Sequence, residues 1–411
     1  MGHVPRRHFV ATLGLATASL ATRSVRLAAR APRRIAVVGG GIMGASIAYH
    51  LAKRGAEVHL FEKRAPAAVA TANSFAWINA GAKRPRGYYE LNHLGMAGWR
   101  RLQHELGPAR LVVQWGGTLQ WQSDPERAEA FRRGVVAQQA WGYGSRLVDV
   151  PEMRRLVPAL EPGPVSAASF CDEEGTVDPV AATHLLLEAA VAHGAVVRHP
   201  AAVAAFDLDG ATVRALRVGS ETIGVDAVVL ATGVELPILG TLLGFAVPME
   251  ESPGLLAHTR PHPRLFERII VAPGATLKQL PNGEIVTGVD FGGSPSRDTG
   301  AAMGHRLLEG AGRFVPRLKD ATLDRVTLGF RVLPADGQPI IGRVSSRPNV
   351  YLAAMHSGIT LAPAVGQLAA IELLDQVEVD VLQPYRLDRF ATQGRASARA
   401  TVRRGAAATP V

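Results

Sequence analysis

Residues 35–62 read IAVVGGGIMGASIAYHLAKRGAEVHLFE, and this stretch decides the fold. The run at 35–38 is apolar and largely β-branched, which is typical of a buried parallel strand, and Gly39 permits a sharp turn directly after it. Apolar residues then recur at helical spacing until Gly55, which is expected to end the helix. A second strand is predicted at 58–61, followed by Glu62. This order of strand, glycine turn, helix, strand and acid predicts a βαβ unit that binds a dinucleotide.

The glycines of the turn and the acid after the second strand each have a predicted contact. Gly41 leaves room for the backbone to approach a pyrophosphate, and Gly44 lets the helix pack close to the strand. The N–H groups that start the helix are expected to face the phosphates. Glu62 can accept hydrogen bonds from both hydroxyls of a ribose and would repel a 2′-phosphate. The motif by itself fits NAD and FAD equally well.

Two segments near the carboxyl end help to decide between NAD and FAD. They read FRVLPADGQPIIGR at 330–343 and NVYLAAMHSGITLAPAVG at 349–366. They predict a buried strand at 350–354, and Gly358 and Thr360 are expected to open the helix that follows. Pro363 is expected in the first turn of that helix, where its missing N–H would have no partner.

With these segments the chain resembles the D-amino acid oxidase superfamily of FAD-dependent oxidoreductases, which includes glycine oxidase, sarcosine oxidase and D-amino acid dehydrogenase. The resemblance covers residues 33 to about 390. It implies that a hydride leaves the carbon next to an amine for the flavin, and that water hydrolyses the resulting imine. The start of the C-terminal helix would then stabilise the negative charge of the reduced flavin. Cys171, the single cysteine, does not coincide with the position where some sarcosine oxidases attach flavin, so noncovalent FAD is expected.

The motif and the resemblance together place a set of residues around FAD. Val203 matches the position whose backbone contacts adenine in the family, and the small-residue loop after the second strand is expected to run past the flavin. The predicted cofactor-binding residues are Gly39, Gly41, Ile42, Met43, Gly44, Glu62, Lys63, Ser74, Phe75, Ala76, Val203, Ala231, Thr232, Gly233, Gly342, Ser357, Gly358, Ile359 and Thr360.

Arg331 and His356 are the predicted catalytic residues. The resemblance gives Arg331 the role of holding the substrate carboxylate, which a planar guanidinium can bind with two hydrogen bonds. The alternative for Arg331 is a surface or interdomain ion pair. For His356 the alternative to a substrate contact is packing in the flavin loop. No metal site is predicted, because a single cysteine offers no Cys-based ligand set.

The roles of four further residues stay open. For Lys278 one role is that of the lysine that promotes the reaction of reduced flavin with oxygen in sarcosine oxidases. The alternative is a solvated lysine on a strand. Trp77, Tyr88 and Tyr89 either line the substrate cleft or serve as core or interdomain aromatics.

The predicted fold class is α/β, with a Rossmann-like FAD-binding domain interleaved with an α+β substrate domain on a mostly antiparallel sheet. The discontinuous FAD-binding domain is assigned to 33–85, 172–235 and 330–392, and the substrate domain to 86–171 and 236–329. Within the last segment, strands are predicted at 268–272, 275–280 and 284–290 and a helix near 299–313. Residues 393–411 are expected to form a flexible tail.

The first 32 residues form a basic leader. The formal net charge is +10, but the first 34 residues contribute seven arginines and no acid, which leaves +3 for the rest. No nucleic-acid-binding surface is therefore predicted. Arg6 and Arg7 before the mildly apolar run at 11–21 resemble a twin-arginine export signal, and the run is too short to span a bilayer. A periplasmic location is therefore expected. The alternative is a disordered basic extension or a misplaced start codon, with a cytoplasmic location. No transmembrane segment is predicted.

Three functions remain open at this point. The first is an FAD-dependent amine or amino-acid oxidoreductase whose reduced flavin passes electrons to oxygen or to a quinone-type carrier. The second is an NAD-dependent dehydrogenase, against which the C-terminal element argues. The third is a noncatalytic flavin-binding component of a larger complex. The substrate and the oligomeric state are left open.

Overall fold

A computed structural model describes residues 34–289, 294 and 296–391 of the chain. The predicted leader at 1–32 and the predicted tail at 393–411 lie outside these residues. The strands, in chain order, are β1 (Arg34–Val38), β2 (Glu57–Phe61), β3 (Trp77–Ile78), β4 (Val113–Gln114), β5 (Thr118–Gln122), β6 (Ser145–Val148), β7 (Ala167–Cys171), β8 (Gly175–Val177), β9 (Val196–Arg198), β10 (Val203–Asp209), β11 (Thr212–Val218), β12 (Glu221–Gly224), β13 (Ala227–Leu230), β14 (Met249–Glu250), β15 (Pro253–Thr259), β16 (Ile269–Ala272), β17 (Ala275–Gln279), β18 (Ile285–Gly288), β19 (Leu323–Phe330), β20 (Leu333–Pro334), β21 (Ile340–Val344) and β22 (Arg347–Ala354).

The helices complete the set. They are α1 (Ile42–Lys53), α2 (Arg86–Leu106), α3 (Pro125–Gln139), α4 (Val150–Leu156), α5 (Pro179–Ala192), α6 (Leu236–Leu242), α7 (Ala301–Gly312) and α8 (Gly358–Asp375), with short 3₁₀ helices at Gly233–Glu235, Pro316–Asp320 and Asp380–Tyr385.

The glycine motif lies at the centre of a six-stranded sheet with the order β21-β22-β13-β1-β2-β9. All neighbours are parallel except β21 and β22. Alternate residues of β1 point to opposite faces of this sheet. Ile35 and Val37 pack in one core with α1, α2, α5 and α8, whereas Ala36 and Val38 pack in a second core with the sheet of β10, β11 and β12. Burial on both faces explains why the motif strand is uniformly apolar.

The second large sheet has eight strands in the order β19-β15-β18-β17-β16-β5-β7-β6. Every neighbouring pair is antiparallel except β16 and β5. One face packs against α4 and α7 in a core that contains Trp121, Met153 and Leu277. A smaller cluster joins Phe75 to residues of this sheet, among them Leu256 of β15 and Val286 of β18. The α/β fold class with a mostly antiparallel second sheet is therefore confirmed.

The strands of the two sheets come from different parts of the chain. The six-stranded sheet takes strands from 33–85, 172–235 and 330–392, and the eight-stranded sheet takes strands from 86–171 and 236–329, with β19 ending at Phe330. The small sheet β3-β8-β4 joins strands from both sets. The domain boundaries themselves stay a prediction.

Several predicted elements need correction. Residues 86–171, assigned as a whole to the substrate domain, contribute β4 to the small sheet and β5 to the eight-stranded sheet. Two strands of the eight-stranded sheet, β15 and β19, lie in the stretch where only three strands were predicted. Helix α8 begins at Gly358, so Pro363 is in the second turn rather than the first.

Helix α8 is the one helix in the described part of the chain with the length and apolar composition of a membrane span. It packs between α1 and α2, and 67% of it is buried inside the protein. These contacts account for its apolar composition as that of a core helix.

Candidate active site

One cavity, with a volume of about 810 Å³, connects the glycine turn after β1 with the loop before α8. Gly39 and Gly41 line it from one end of the chain, and the run 356–360 lines it from the other. Residues of both large sheets contribute further walls, among them Val38 of β1 and Leu256 of β15, and Phe75 and Arg331 line the cavity from the neighbouring loops. The two segments that are more than 300 residues apart in sequence thus share one cavity.

The glycines of the turn are required for two different reasons. Gly39 has a φ of +110°, and a Cβ there would lie 2.4 Å from the carbonyl oxygen of Ala231. A Cβ on Gly44 would lie 1.9 Å from the carbonyl oxygen of Gly39, so this glycine lets α1 pack against the turn. A Cβ on Gly41 would meet only Thr71 Oγ1, at 3.2 Å, and would otherwise project into open space. Gly41 is therefore the glycine whose missing side chain leaves room for a ligand.

The N-terminus of α1 opens on this cavity, and its N-cap residue, Gly41, has no side chain that could cap it. The N–H of Ile42 donates to Thr71 Oγ1 at 3.1 Å, so it is already paired, contrary to the expectation that it faces a phosphate. Within the described residues, the N–H groups of Met43 and Gly44 have no acceptor. They remain available to an anion at the positive end of the helix.

The N-terminus of α8 opens on the same cavity, and its N-cap residue, Ser357, makes no capping hydrogen bond with its side chain in the described part of the chain. Its position is held by Thr360, whose Oγ1 donates to the Trp77 carbonyl at 3.1 Å and accepts from the Asn79 N–H at 3.3 Å. Tyr88 donates to Ser357 Oγ at 2.9 Å from the side of α2. Two uncapped helix N-termini therefore face one cavity, an arrangement that favours negative charge at both places.

Glu62 lies at the edge of the cavity with both carboxylate oxygens held by backbone. Oε2 accepts from the N–H of Gly40 at 2.7 Å, and Oε1 accepts from the N–H of Arg64 at 2.8 Å. Lys63 forms an ion pair with Glu235 at the same end of the cavity. The carboxylate keeps lone pairs for a ribose, because each oxygen uses only one in these contacts.

Arg331 and His356 line the opposite part of the cavity. Arg331 follows β19, and its backbone N–H donates to the Ser252 carbonyl at 2.8 Å while Nη1 donates to Ser252 Oγ at 3.4 Å. Burial lowers the pKa of His356 to about 4, and the positive charges of Lys83 and Arg331 contribute to the lowering. His356 is therefore a neutral imidazole at physiological pH, beside two cations.

Two charged residues of this region were not predicted from the sequence. Lys83 lines the cavity, and burial lowers its pKa to about 8, opposed by the negative charge of Glu174. Glu174 is buried directly behind the wall, where Trp77 Nε1 donates to it at 2.8 Å and the Tyr143 hydroxyl donates to its other oxygen. Burial raises the pKa of Glu174 to about 7. No short motif marks either residue, since their roles come from contacts between distant segments.

Lys278 is buried on β17, so the alternative of a solvated strand lysine is wrong. Its Nζ donates to Thr176 Oγ1 at 3.2 Å and lies 5.4 Å from the centre of the Phe75 ring. Burial lowers its pKa to about 8. Lys278 does not line the cavity itself, whereas Phe75 does.

Most of the predicted cofactor residues line the one cavity. These are Gly39, Gly41, Ile42, Met43, Glu62, Lys63, Ser74, Phe75, Ala76, Val203, Ala231, Thr232, Gly233, Ser357, Gly358, Ile359 and Thr360. Gly44 and Gly342 do not. A Cβ on Gly342 would lie 2.0 Å from Arg386 Nη1, so that glycine makes room for an arginine that pairs with the buried Glu372.

The three aromatic candidates have different positions. Trp77 lines the cavity, whereas Tyr88 reaches it only through its hydrogen bond to Ser357. Tyr89 packs against Trp141 and Tyr143 as a core aromatic. Among the residues that the structure describes, no group of three His, Cys, Asp or Glu side chains could hold a metal ion.

The fold and the cavity define a class of protein: a dinucleotide-binding α/β enzyme whose second sheet closes over the ligand. The family model DAO, described as FAD dependent oxidoreductase, matches residues 34–371, and the chain belongs to this family. It is thus an FAD-dependent oxidoreductase. The cavity fits such a cofactor, because Gly41 leaves room for a ligand. Among the described residues, no N-cap side chain caps α1 or α8, and the buried Thr232 Oγ1 has no hydrogen-bond partner.

Individual relatives agree over most of the chain. Glycine oxidase of Bacillus licheniformis is 26% identical, with 86% of this chain and 96% of that protein covered. One of the opine oxidase subunits of Agrobacterium tumefaciens (strain Ach5) is 26% identical, with 84% and 95% covered. Among solved structures, L-proline dehydrogenase from P. horikoshii has a TM-score of 0.80 at 25% identity, with 89% of this chain and 99% of that chain covered.

Proposed function

We propose that the chain oxidises the C–N bond of an amine that carries a carboxylate, with noncovalent FAD as the first electron acceptor. The observation that carries this proposal is the placement of Arg331 and the neutral His356 in the same cavity as the two uncapped helix N-termini. Relatives named as a glycine oxidase and as part of an opine oxidase support an amino-acid or secondary-amine substrate. Membership of an FAD-dependent family argues against the NAD-dependent alternative.

The residues that would hold FAD divide between the two ends of the chain. The N–H groups of Met43 and Gly44 would bind the pyrophosphate, and Glu62 would accept from the ribose hydroxyls. The N-terminus of α8 would lie beside the flavin ring. When bound there, FAD supplies the acceptor for a hydride, that is, for one proton together with two electrons.

The protein's own part in the reaction is to bind, orient and tune the charge of the substrate. The Arg331 guanidinium binds the carboxylate, and the neighbouring cations favour the uncharged amine, whose lone pair must be available. The C–H bond next to nitrogen then breaks, its electron pair leaves with the hydrogen, and the nitrogen lone pair forms the C=N bond. The neutral imidazole of His356 can accept a hydrogen bond from the amine N–H. Water hydrolyses the released imine to a carbonyl compound and an amine.

Replacing Arg331 tests this assignment. We expect Arg331→Ala to raise KM for a carboxylate-bearing amine by about tenfold to a hundredfold, because a charge-assisted hydrogen-bonded pair is lost, with a smaller effect on kcat. The measurement is anaerobic flavin bleaching across amines and amino acids, followed by steady-state kinetics on the best substrate. Arg306→Ala, on the exposed side of α7, is the matched control. An unchanged KM in Arg331→Ala would contradict the assignment.

A noncatalytic flavin-binding component of a larger complex is the second candidate function. Two relatives are named as subunits of opine oxidases, which favours a chain that works within a larger assembly. The purified chain with bound FAD tests this directly: bleaching by an amine in the absence of any partner favours the enzyme, and persistent absence of bleaching favours the noncatalytic component. The electron acceptor, the oligomeric state and a periplasmic location remain proposals.

A further inference from the structure

The N-cap residue of α8, Ser357, is hydrogen-bonded to a side chain of another helix. Tyr88 lies in the first turn of α2, is buried, and donates from its hydroxyl to Ser357 Oγ at 2.9 Å. Serine is among the residues that most often cap a helix, by accepting a hydrogen bond from the backbone with the side-chain oxygen. In α8 the Ser357 hydroxyl makes no such bond within the described part of the chain. It is held by α2 instead of capping its own helix.

The N–H groups that this cap would satisfy belong to residues of the cavity wall. An N-cap side chain accepts from the second or third residue of its helix, and in α8 these residues are Ile359 and Thr360. Across the residues that the structure describes, neither N–H has an acceptor. Both residues line the cavity, at the positive end of the helix. The two N–H groups are therefore available to a ligand as long as the Ser357 hydroxyl stays with Tyr88.

We infer that Tyr88 is a positioning residue for the flavin: it holds the Ser357 hydroxyl away from the start of α8, so that the N–H groups there can bind the negative charge of the reduced ring. This inference rests on the part of the proposed function that places the N-terminus of α8 beside the flavin. A hydroxyl turned onto the helix would satisfy an N–H group while the ring is oxidised and neutral, and reduction would then have to displace it. Tyr88 therefore raises the reduction potential of the flavin without touching it.

Replacing Tyr88 by phenylalanine removes this hydrogen bond and little else. The aromatic ring stays, and with it the contact of Lys83, whose Nζ lies 5.8 Å from the ring centre. The charges around the cavity are therefore unchanged, and only the donor to Ser357 is lost. The next residue of α2 provides a matched control. The Tyr89 hydroxyl donates to a backbone carbonyl at 3.4 Å within the core, so Tyr89→Phe removes the same group from the same helix without releasing Ser357.

The reduction potential of the flavin in the holoenzyme, measured without substrate, tests the inference. We expect Tyr88→Phe to shift the equilibrium towards oxidised flavin by about threefold to tenfold, which for a two-electron couple is about 14–30 mV. Tyr89→Phe should keep the potential of the unchanged protein. In a Ser357→Ala background no hydroxyl is available to cap α8, so adding Tyr88→Phe there should cause no further shift. Flavin content and Tm confirm that each variant is folded and loaded.

A crystal structure of the Tyr88→Phe holoenzyme locates the released hydroxyl, and we expect Ser357 Oγ within hydrogen-bonding distance of the Ile359 or Thr360 nitrogen. Two results would overturn the inference. One is an unchanged potential in Tyr88→Phe, and the other is an equal shift with and without the Ser357 hydroxyl, which would mean that Tyr88 acts on the flavin directly. A potential that responds as expected in a flavin that no amine reduces would support the role of Tyr88 and contradict the proposed oxidation of an amine.

Discussion

Single residues of the glycine turn separate the needs of the fold from those of the ligand. Gly39 and Gly44 are surrounded by protein backbone, so a side chain at either position would collide whether or not FAD is bound. Gly41 contacts only one hydroxyl and otherwise faces the cavity. A motif of three glycines therefore contains two that stabilise the protein and one that admits the ligand.

Two alanine substitutions check this division. We expect Gly44→Ala to destabilise the protein by about 1–3 kcal/mol or more, because its Cβ overlaps the carbonyl of Gly39. Gly41→Ala should change the free energy of unfolding of the apoprotein by less than about 0.5 kcal/mol and yet weaken FAD binding at least tenfold. Urea unfolding of the apoprotein and FAD titration measure the two effects. Equal effects of both substitutions on unfolding would contradict the division.

Lys278 gives a second test at this scale, for the proposed use of oxygen. A buried ammonium next to Phe75 favours the negative charge that oxygen gains on reduction. We expect Lys278→Met to slow reoxidation of the reduced enzyme by oxygen at least about tenfold, with flavin reduction by the substrate less affected. Stopped-flow reoxidation measures it, and reoxidation by a quinone in the same variant is the internal control. Equal slowing with both acceptors would argue against an oxygen-specific role.

Residues were predictable from the sequence where a local motif carries the chemistry. The turn glycines and Glu62 follow from spacing within one βαβ unit, and they do line the cavity except for Gly44. Lys83 and Glu174 are isolated in sequence, and only the packing of β3 against β8 brings them together. Gly342 was predicted to bind the cofactor, but a side chain at this position would collide with Arg386. The need for glycine there therefore comes from Arg386 and not from the cavity.

At the scale of elements, α8 carries a proline inside a helix that the site depends on. Pro363 has no N–H for the carbonyl of Ile359, one turn earlier, and Trp99 Nε1 donates to that carbonyl at 2.8 Å instead. Helix α2 approaches closely there because Gly98 has no side chain, and a Cβ on it would lie 2.7 Å from Pro363 Cβ. A side chain of α2 thus replaces a backbone hydrogen bond near the start of α8.

A double-mutant cycle tests this replacement. We expect Trp99→Phe to destabilise the protein by about 1–3 kcal/mol, because the buried Ile359 carbonyl loses its donor. In the Pro363→Ala background the cost should be smaller by about 1 kcal/mol, since residue 363 then supplies the missing N–H. Urea unfolding of the four proteins measures the coupling. Additive effects would show that the indole donor and the missing N–H are independent.

Helices and strands were predicted correctly where the spacing of apolar residues agrees with the glycines at the ends of the elements, as in β1, α1 and β2. The prediction also placed the start of α8 at Gly358, where the structure has it, but assigned Pro363 to the first turn instead of the second. It missed β15 and β19, whose pairing joins residues about 70 positions apart and whose burial follows no simple alternation. The pairing of strands so far apart in the sequence cannot be predicted from the local pattern of residues.

At the scale of the whole molecule, the cavity exists because distant segments pack against each other. Ser46 on α1 donates to the carbonyl of Ala362 on α8 at 2.6 Å, which ties together elements 316 residues apart. A Cβ on Gly366 would lie 2.3 Å from the Ser46 hydroxyl, so the two helices are in close contact. Stability of this contact and integrity of the cofactor site are therefore linked.

His50, on the same face of α1, makes that contact sensitive to acid. Its Nε2 is buried without a hydrogen-bond partner among the described residues, and burial lowers its pKa from 6.5 to about 4. The folded state therefore keeps His50 neutral, whereas the unfolded chain binds a proton below about pH 6.5. Stability from this residue is complete above about pH 6.5 and decreases as the pH falls towards 4. His356, with its pKa also lowered to about 4, acts in the same direction.

Replacing His50 tests the linkage. In urea unfolding at fixed FAD concentration, we expect His50→Gln to reduce the loss of stability between about pH 6.5 and 5, by up to about 1.4 kcal/mol per pH unit for one proton. The exposed His305 on α7 is the matched control, and His305→Gln should keep the pH dependence of the unchanged protein. Parallel curves for His50→Gln and the unchanged protein would mean that His50 does not resist protonation in the folded state. The α1–α8 contact would then have to tolerate a buried positive charge, and the acid sensitivity of the fold would have to come from His356 or from the carboxylates.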